Sequence, residues 1–134
     1  MTTSLNDLIG HYVRAWNESD AQRRAQVLAE IYAQDATIVM QRAVFKGIEA
    51  VVNHIAGVFD EFLAPGRFVF RSGGFSGHHD CVLFRWEMAE RTDDSLADAG
   101  MNTFVLDEDG RIRYDYQFVL GTDSSIGSMA AGAK

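Results

Sequence analysis

The sequence is poor in cysteine, in basic residues and in long apolar runs, and each shortage excludes a class of protein. Cys81 is the single cysteine, so the chain cannot form an internal disulfide. Twelve residues are Lys or Arg against 19 Asp or Glu, and the formal charge of -7 argues against nucleic acid and anionic membranes as partners. No apolar run approaches the roughly 20 residues of a membrane-spanning helix. We therefore expect a small molecule or a protein as the partner.

The length and the two ends of the chain predict one domain with a tail. A chain of 134 residues buries roughly two thirds of its unfolded surface, which suits a single core. Residues 1–4 lack the basic start and apolar centre of a signal peptide, so we expect a cytoplasmic protein. Residues 121–134 are largely Gly, Ser and Ala and cannot bury enough surface to fold. We predict one domain over residues 1–120 and a flexible C-terminal tail over residues 121–134.

The apolar pattern predicts three helices followed by most of a sheet. The predicted helices cover residues 5–18, 20–33 and 48–62. Ser4 can cap the first helix, Ser19 or Asp20 the second, and Pro65 stops the third. The predicted strands cover residues 36–41, 67–76, 79–90, 101–107 and 111–120, with Gly73 and Gly74 placed for a bulge. Helices on one face of a mostly antiparallel sheet form an α+β domain.

The last predicted strand has one apolar face and one polar face. The apolar row contains Ile112, Tyr114, Tyr116, Phe118 and Leu120, and the polar row contains Arg113, Asp115 and Gln117. Alternation alone allows either row to face inward. Function depends on whether Asp115 points to water or into a cavity.

The element order and four short motifs resemble the nuclear-transport-factor-2-like superfamily over nearly the whole chain. The motifs are Tyr32-Ala33-Gln34-Asp35-Ala36-Thr37, Phe45-Lys46-Gly47, Phe84-Arg85-Trp86-Glu87-Met88 and Asp107-Glu108-Asp109-Gly110-Arg111-Ile112. The chain is most similar to the polyketide-cyclase-like (SnoaL-like) branch and distantly similar to ketosteroid isomerase. The resemblance implies a cone-shaped fold, in which three N-terminal helices pack on a strongly curved sheet and enclose an apolar pocket, usually in a homodimer.

The resemblance also implies candidate catalytic residues. Alignment with ketosteroid isomerase places Tyr12 and Asn102 where that enzyme has its two oxyanion donors, and Met40 where it has its base. A thioether cannot accept a carbon-bound proton, so that mechanism lacks its proton shuttle. Other members of the superfamily have a catalytic His or Asp at the position of Asp115. The alignment turns Asp115 inward with Arg113 and Gln117, and we expect Arg113 to pair with Asp115 and keep it ionised.

Further candidates are expected to bind substrate around this centre. They are Met40, His54, His78, Asp80, Phe84, Trp86, Met88, Phe104, Arg113 and Gln117. The apolar members can equally fill a core, and His54 can equally be a solvated helix residue. His78 and Asp80 share a strand face and could provide at most two ligands for an ion, so we predict neither a metal nor a cofactor.

These residues lead to two functional hypotheses. The first is a small cofactor-independent enzyme of the cyclase or isomerase type, in which Asp115 removes a proton next to a carbonyl of a hydrophobic ring compound. The alternative is a non-catalytic module of the same fold that binds a small hydrophobic ligand or assembles as a dimer. In either case we expect a homodimer that buries Leu83, Tyr114, Tyr116 and Phe118.

Overall fold

A computed structural model describes residues 4–122, and three helices precede most of its six-stranded sheet. The predicted C-terminal tail lies outside the described residues except for residues 121 and 122. The helices are α1 (Leu5–Asn17), α2 (Ala21–Ile31) and α3 (Ile48–Val58), and a π-helical turn (Phe59–Leu63) extends α3. The strands are β1 (Tyr32–Val39), β2 (Val44–Lys46), β3 (Phe68–His78), β4 (Cys81–Glu90), β5 (Leu96–Leu106) and β6 (Ile112–Val119).

The sheet confirms the predicted α+β class and its mostly antiparallel pairing. Its strand order is β2-β1-β6-β5-β4-β3, and β3 to β6 form an antiparallel meander. β1 joins the meander by pairing in parallel with β6. The register of β3 on β4 shifts between Ser72 and Gly74, so the bulge predicted at the glycine pair is present.

Side-chain caps start the first two helices where the sequence predicts them. The Oγ of Ser4 accepts from the backbone N–H of Asp7, and the Oδ1 of Asp20 accepts from the N–H groups of Gln22 and Arg23. The inner faces of the helices and the concave face of the sheet share one apolar core. No helix among residues 4–122 is long and apolar enough to cross a membrane.

The sequence does not predict strand β2, and the largest differences at the other strands are at β1, β5 and the turn between β3 and β4. β1 begins at Tyr32, where the sequence predicts helix, because pairing with β6 outweighs the local helical preference. β5 begins at Leu96, inside a segment predicted as an acidic hairpin tip, because residues 96–100 pair with β4. The turn between β3 and β4 lies at His79 and Asp80, which the prediction placed within a strand.

An irregularity at the start of β6 sets which side chains face inward. Ile112 pairs with Leu106 and Tyr114 pairs with Val105, so Arg113 has no partner across the ladder. The extra residue inverts the alternation, and Ile112 and Asp115 are therefore both buried although they are three positions apart in the sequence. The prediction that Ile112 lies on the outward row is wrong for this reason.

Trp86 lies across the position on β5 that has no side chain. A Cβ added to Gly100 would overlap Cε2 and Cζ2 of the Trp86 indole and the carbonyl oxygen of Phe118. The absence of a side chain at Gly100 is therefore what allows the indole to approach the backbone of β5.

We expect Gly100→Ala to lower the free energy of unfolding by about 1–3 kcal/mol, because the added methyl group overpacks the Trp86 contact. Urea denaturation measures the change. Gly10→Ala is the matched control: Gly10 is exposed within α1 and a Cβ there would meet no atom within 4 Å. That control should gain roughly 0.5–1 kcal/mol. Equal stability of the Gly100→Ala variant and the wild type would contradict the close approach.

Candidate active site

A buried carboxyl group lies where α1, β1 and β6 meet. Asp115 is 0% exposed, and its Oδ2 accepts hydrogen bonds from Tyr32 Oη at 2.6 Å, Tyr12 Oη at 3.1 Å and Gln117 Nε2 at 3.1 Å. Its Oδ1 is buried and has no partner among the described residues. One oxygen is thus held by three donors while the other is held by none.

Burial raises the pKa of Asp115 to about 6, and the hydrogen bonds from Tyr32, Gln117 and Tyr12 oppose that rise. The pKa values of Tyr12 and Tyr32 are raised well above their ordinary value, first by burial and then by the charge of Asp115. Both phenols therefore remain protonated near neutral pH and act as donors. Asp115 is poised to change its charge close to neutrality.

A layer of polar side chains separates this carboxyl group from the space above it. The Tyr12 hydroxyl group donates to Asp115 and accepts from Asn102 Nδ2 at 3.0 Å, with a longer contact of 3.5 Å from Gln117 Nε2. Asn102 and Gln117 are cross-strand neighbours on β5 and β6, which brings both amides to the same phenol. Tyr12 therefore connects the buried acid to the layer above.

A cavity of about 310 Å³ lies on the other side of that layer. Its volume is at the lower end of the range for small-molecule sites. Seven predicted site residues line it: Tyr12, Met40, His54, Trp86, Met88, Asn102 and Gln117. Six further residues complete the wall: Trp16, Val58, Phe62, Phe70, Asp98 and Val119. The wall is mostly apolar, with a few polar groups gathered near Tyr12.

Three lining residues have buried polar atoms that lack a hydrogen-bond partner within residues 4–122. These atoms are the indole nitrogen of Trp16, Nε2 of His54 and Oδ1 of Asn102. The His54 ring stacks on Phe45 at 4.1 Å, and burial lowers the pKa of His54, which favours the neutral imidazole. Because buried polar groups are nearly always hydrogen-bonded, these atoms are suited to contact a bound molecule or water.

Asp115 itself does not line the cavity. The sequence placed its side chain inward, and the structure agrees in leaving it fully buried. Tyr12 and Gln117 line the cavity, and both donate to the carboxyl group. The carboxyl group therefore has no surface in this cavity for the direct substrate contact that the sequence predicts.

The predicted pairing of Arg113 with Asp115 is wrong. Arg113 lies on the exposed surface, and its Nη2 is 3.3 Å from Oδ2 of Asp35. The irregularity in β6 turns Arg113 away from the concave face, because it is the residue left unpaired in the ladder. Phenols and an amide hold the carboxyl group where a guanidinium was expected.

Four other predicted residues lie outside the cavity wall. Phe84 and Phe104 are fully buried beneath it, with ring centroids 5.3 Å and 5.0 Å from that of Tyr12. They position Tyr12 and leave no face for a ligand. His78 and Asp80 are exposed, because the turn at residues 79 and 80 ends the strand alternation that placed them inside.

Sequence reasoning missed Tyr32 and Asp98 because both lie in segments whose strand state was not predicted, and it also missed several cavity-lining residues on the helices. Tyr32 makes the shortest hydrogen bond to Asp115 but falls in a segment predicted as helix. Asp98 falls in the segment predicted as a loop, although its partner across the ladder is the predicted site residue Met88. Helical spacing could have identified Trp16, four residues after Tyr12, and Val58, four residues after His54.

Comparison with known proteins places this arrangement in a family. The family model described as SnoaL-like domain matches residues 9–114, which is more than half of the chain. No curated protein matches the sequence. The resemblance expected from the sequence motifs is therefore confirmed at the level of the family.

Several solved structures share the fold. A proposed isomerase of the SnoaL-like family from Agrobacterium tumefaciens superposes with a TM-score of 0.76 at 23% identity, covering 87% of this chain and 97% of that chain. A proposed polyketide cyclase from Sinorhizobium meliloti superposes with a TM-score of 0.62 at 19% identity, covering 83% and 93%. A SnoaL-like protein from Jannaschia, a proposed polyketide cyclase, has a TM-score of 0.65 at 14% identity, covering 89% and 90%. These similarities confirm the cone-shaped nuclear-transport-factor-2-like fold.

The raised pKa of Asp115 predicts that stability falls as the pH rises. Between the ordinary pKa of 3.8 and the folded value of about 6, the folded state keeps a proton that the unfolded state has lost. This contribution is complete below pH 3.8 and is lost as the pH passes 6. The two values correspond to about 3 kcal/mol.

Urea denaturation of the wild type and Asp115→Asn measures this contribution. The difference between their unfolding free energies should fall by about 2–2.5 kcal/mol from pH 4 to pH 7, because Asn cannot titrate and part of the contribution is already lost at pH 4. A difference that stays constant over this range would show that Asp115 has an ordinary pKa in the folded protein.

Proposed function

Because the chain belongs to the SnoaL-like domain family, we propose that it is a small enzyme of the cyclase or isomerase type, which abstracts a proton next to a carbonyl of a hydrophobic ring compound. The observation that carries this proposal is the position of the Tyr12 hydroxyl group. The Tyr12 side chain is 0% exposed to solvent and belongs to the cavity wall, and its hydroxyl group donates to the buried Asp115. A proton acceptor with a pKa of about 6 is thus connected to the cavity through a single phenol.

The proposed proton transfer passes through Tyr12. The substrate C–H bond breaks, its proton goes to the Tyr12 oxygen, and the Tyr12 proton moves to Oδ2 of Asp115. The electron pair of the C–H bond forms the enolate, and the carboxylate becomes a neutral acid. The 3.1 Å hydrogen bond from Tyr12 to Asp115 provides the path for the second transfer.

The enolate oxygen needs donors in a site with little water. Asn102 uses one of its two amide N–H groups on Tyr12 and keeps the other, whereas Gln117 uses its amide on Asp115 and, at 3.5 Å, on Tyr12. The indole N–H of Trp16 also belongs to the cavity wall, close enough to the Tyr12 hydroxyl group to lower the pKa of that phenol. Such donors stabilise developing negative charge without reorganising solvent. Return of the proton from Asp115 to another carbon completes an isomerisation, and attack of the enolate within the same molecule completes a cyclisation.

A cofactor is not required for this chemistry, and the proposed substrate is a small hydrophobic molecule. The apolar cavity wall suits a flat ring, and stacked rings of Trp16, Phe70 and Trp86 form one side of it. The free thiol of Cys81 suits the reducing cytoplasm, which is where we propose the reaction takes place.

A second function fits one observation. Met40 lines the cavity at the position where ketosteroid isomerase has its base, and Asp115 does not reach the cavity surface. A protein that only binds a hydrophobic ligand, or that assembles as a dimer, would need no proton acceptor at either place. Hydrogen–deuterium exchange at a carbon next to a carbonyl distinguishes the two functions, because only the enzyme would accelerate it.

Deuterium exchange at the carbon next to the carbonyl of β-tetralone, followed by NMR in D₂O, tests the proton transfer without the natural substrate. We expect the protein to accelerate exchange above the buffer rate and Asp115→Asn to abolish the acceleration. Tyr12→Phe should lower the rate on the order of a hundred- to ten-thousand-fold, because it interrupts the path to the acid.

Tyr32→Phe is the matched control for Tyr12→Phe. Both phenols donate to Oδ2 of Asp115, but Tyr32 does not line the cavity. Its loss should therefore change the rate far less and shift the pH dependence of exchange upward, because one donor that lowers the pKa of Asp115 is gone. Tetralone that binds without accelerated exchange would favour the binding module. Equal losses in the two variants would contradict the path through Tyr12.

We also propose that the convex face of the sheet forms a homodimer. Leu83, Tyr114, Tyr116 and Phe118 are 38–46% exposed, and the register aligns Leu83, Thr103 and Tyr116 across three strands. The Tyr114 and Tyr116 rings stack at 6.0 Å, which adds a flat apolar surface. A continuous apolar patch of this kind is typical of an interface between proteins.

Light scattering after size exclusion tests the dimer. The wild type should have twice the monomer mass, and the double variant Leu83→Glu, Tyr116→Glu should have the monomer mass, because two carboxylates would be buried at the interface. Val44→Glu is the control, since Val44 is 53% exposed on the edge strand β2 outside the patch. A monomeric wild type would refute the proposal.

A further inference from the structure

One carboxylate lines the cavity without a counter-ion. Asp98 is half-buried on β5, and its Oδ1 accepts from the backbone N–H of Ala99 at 2.9 Å. No described ion pair includes Asp98, and no Lys or Arg among residues 4–122 lines the cavity. The cavity wall therefore carries a negative charge that no ion pair within residues 4–122 neutralises.

Aromatic rings lie beside this carboxylate. Asp98, Gly100 and Asn102 follow one another on the inward face of β5, and the Trp86 indole covers Gly100 between the two polar side chains. Phe70 stacks on Trp86 with centroids 6.0 Å apart, and Trp16 stacks on Phe70 at 5.2 Å. Asp98 and Trp86 are diagonal neighbours in the ladder of β4 and β5, because Trp86 pairs with Gly100 and Met88 pairs with Asp98. A carboxylate and aromatic rings on one cavity wall are the combination that attracts an ammonium group.

The same arrangement repels an anionic ligand. A carboxylate entering the cavity would approach Asp98 and would lie above the buried Asp115. The titratable residues on the wall are Asp98, Tyr12 and His54. His54 favours its neutral form, because burial lowers its pKa. No positive charge on the described cavity wall would offset either repulsion.

We propose that Asp98 is a specificity-determining residue, through which the cavity selects a flat ring compound bearing a protonated amine over the same ring bearing a carboxylate. The proposal rests on the proposed function only in assuming that ring compounds enter the cavity. It defines the substrate class further: the ring lies against Trp86 and Phe70, the amine pairs with Asp98, and the reacting carbon lies toward Tyr12. In this scheme Asp98 binds the amine and takes no part in the proton transfer.

Asp98 could instead have a purely structural role, as the acceptor of its neighbour's backbone N–H. An asparagine side chain keeps an oxygen at the same place and can keep that hydrogen bond. Asp98→Asn therefore removes the charge and preserves the local structure. The variant separates charge selection from local structure.

Isothermal titration calorimetry with three probes of one shape tests the selection at about pH 7. The probes are naphthylmethylamine, naphthylmethanol and naphthoate, which are a cation, a neutral alcohol and an anion at that pH. We expect the wild type to bind the amine at least about tenfold more tightly than naphthoate, with the alcohol between them. Asp98→Asn should weaken the binding of the amine by about tenfold and change the affinity for the alcohol by less than about twofold.

Asp109→Asn is the matched control, because Asp109 is exposed in the turn between β5 and β6 and its replacement changes the net charge equally. It should leave all three affinities unchanged. Equal binding of the three probes, or an unchanged preference in Asp98→Asn, would overturn the selection by Asp98 while ring binding stands. Binding of none of the probes would overturn both this inference and the ring-binding premise of the proposed function.

Discussion

The burial of the Asp115 carboxyl group is the constraint on which the rest of the site depends. Three donors from α1, β1 and β6 converge on its Oδ2, which ties the helical layer to the centre of the sheet. Hydrogen bonds to a charged group contribute about 1.5–3 kcal/mol each, yet the pKa of Asp115 is still raised to about 6. Desolvation therefore outweighs the donors, and the fold retains an acid that it does not fully stabilise.

Tyr12 transmits the state of this acid to the cavity. When Asp115 is ionised, the Tyr12 proton is donated to it and the phenol oxygen is left to accept from Asn102. When Asp115 is protonated, the acid has a hydrogen of its own to donate, and the phenol can direct its proton into the cavity. The same side chain can thus offer the cavity an acceptor or a donor, as an acid–base reaction near neutral pH requires.

Sequence periodicity was sufficient for most of the fold but only for part of the site. The three helices, the meander and the glycine bulge follow from local patterns and caps, which act over a few residues. Arg113, which has no partner in the ladder between β5 and β6, is different. A single extra residue in a strand reverses the direction of the side chains that follow it, and the apolar–polar alternation of the sequence does not show it. Tyr32 and Asp98 lie in segments whose strand state is imposed by partners distant in sequence.

The cavity residues found by resemblance are those on regular parts of the fold. Tyr12 on α1, His54 on α3 and Asn102 on β5 keep their predicted orientation because each lies within an uninterrupted element. His78 and Asp80 flank a turn, and there the period of two no longer predicts direction. Errors in the site thus follow breaks in the backbone pattern.

Met40 and Met88 give the cavity wall a plasticity that its aromatic side lacks. Both side chains line the cavity. Met40 directly follows β1, Met88 lies on β4, and neither side chain is branched. A thioether chain with three rotatable bonds can change its conformation at little cost in free energy. The indole of Trp86, by contrast, is in close contact with the backbone at Gly100. The shape of the cavity can therefore change through its two thioether chains while its aromatic side stays fixed.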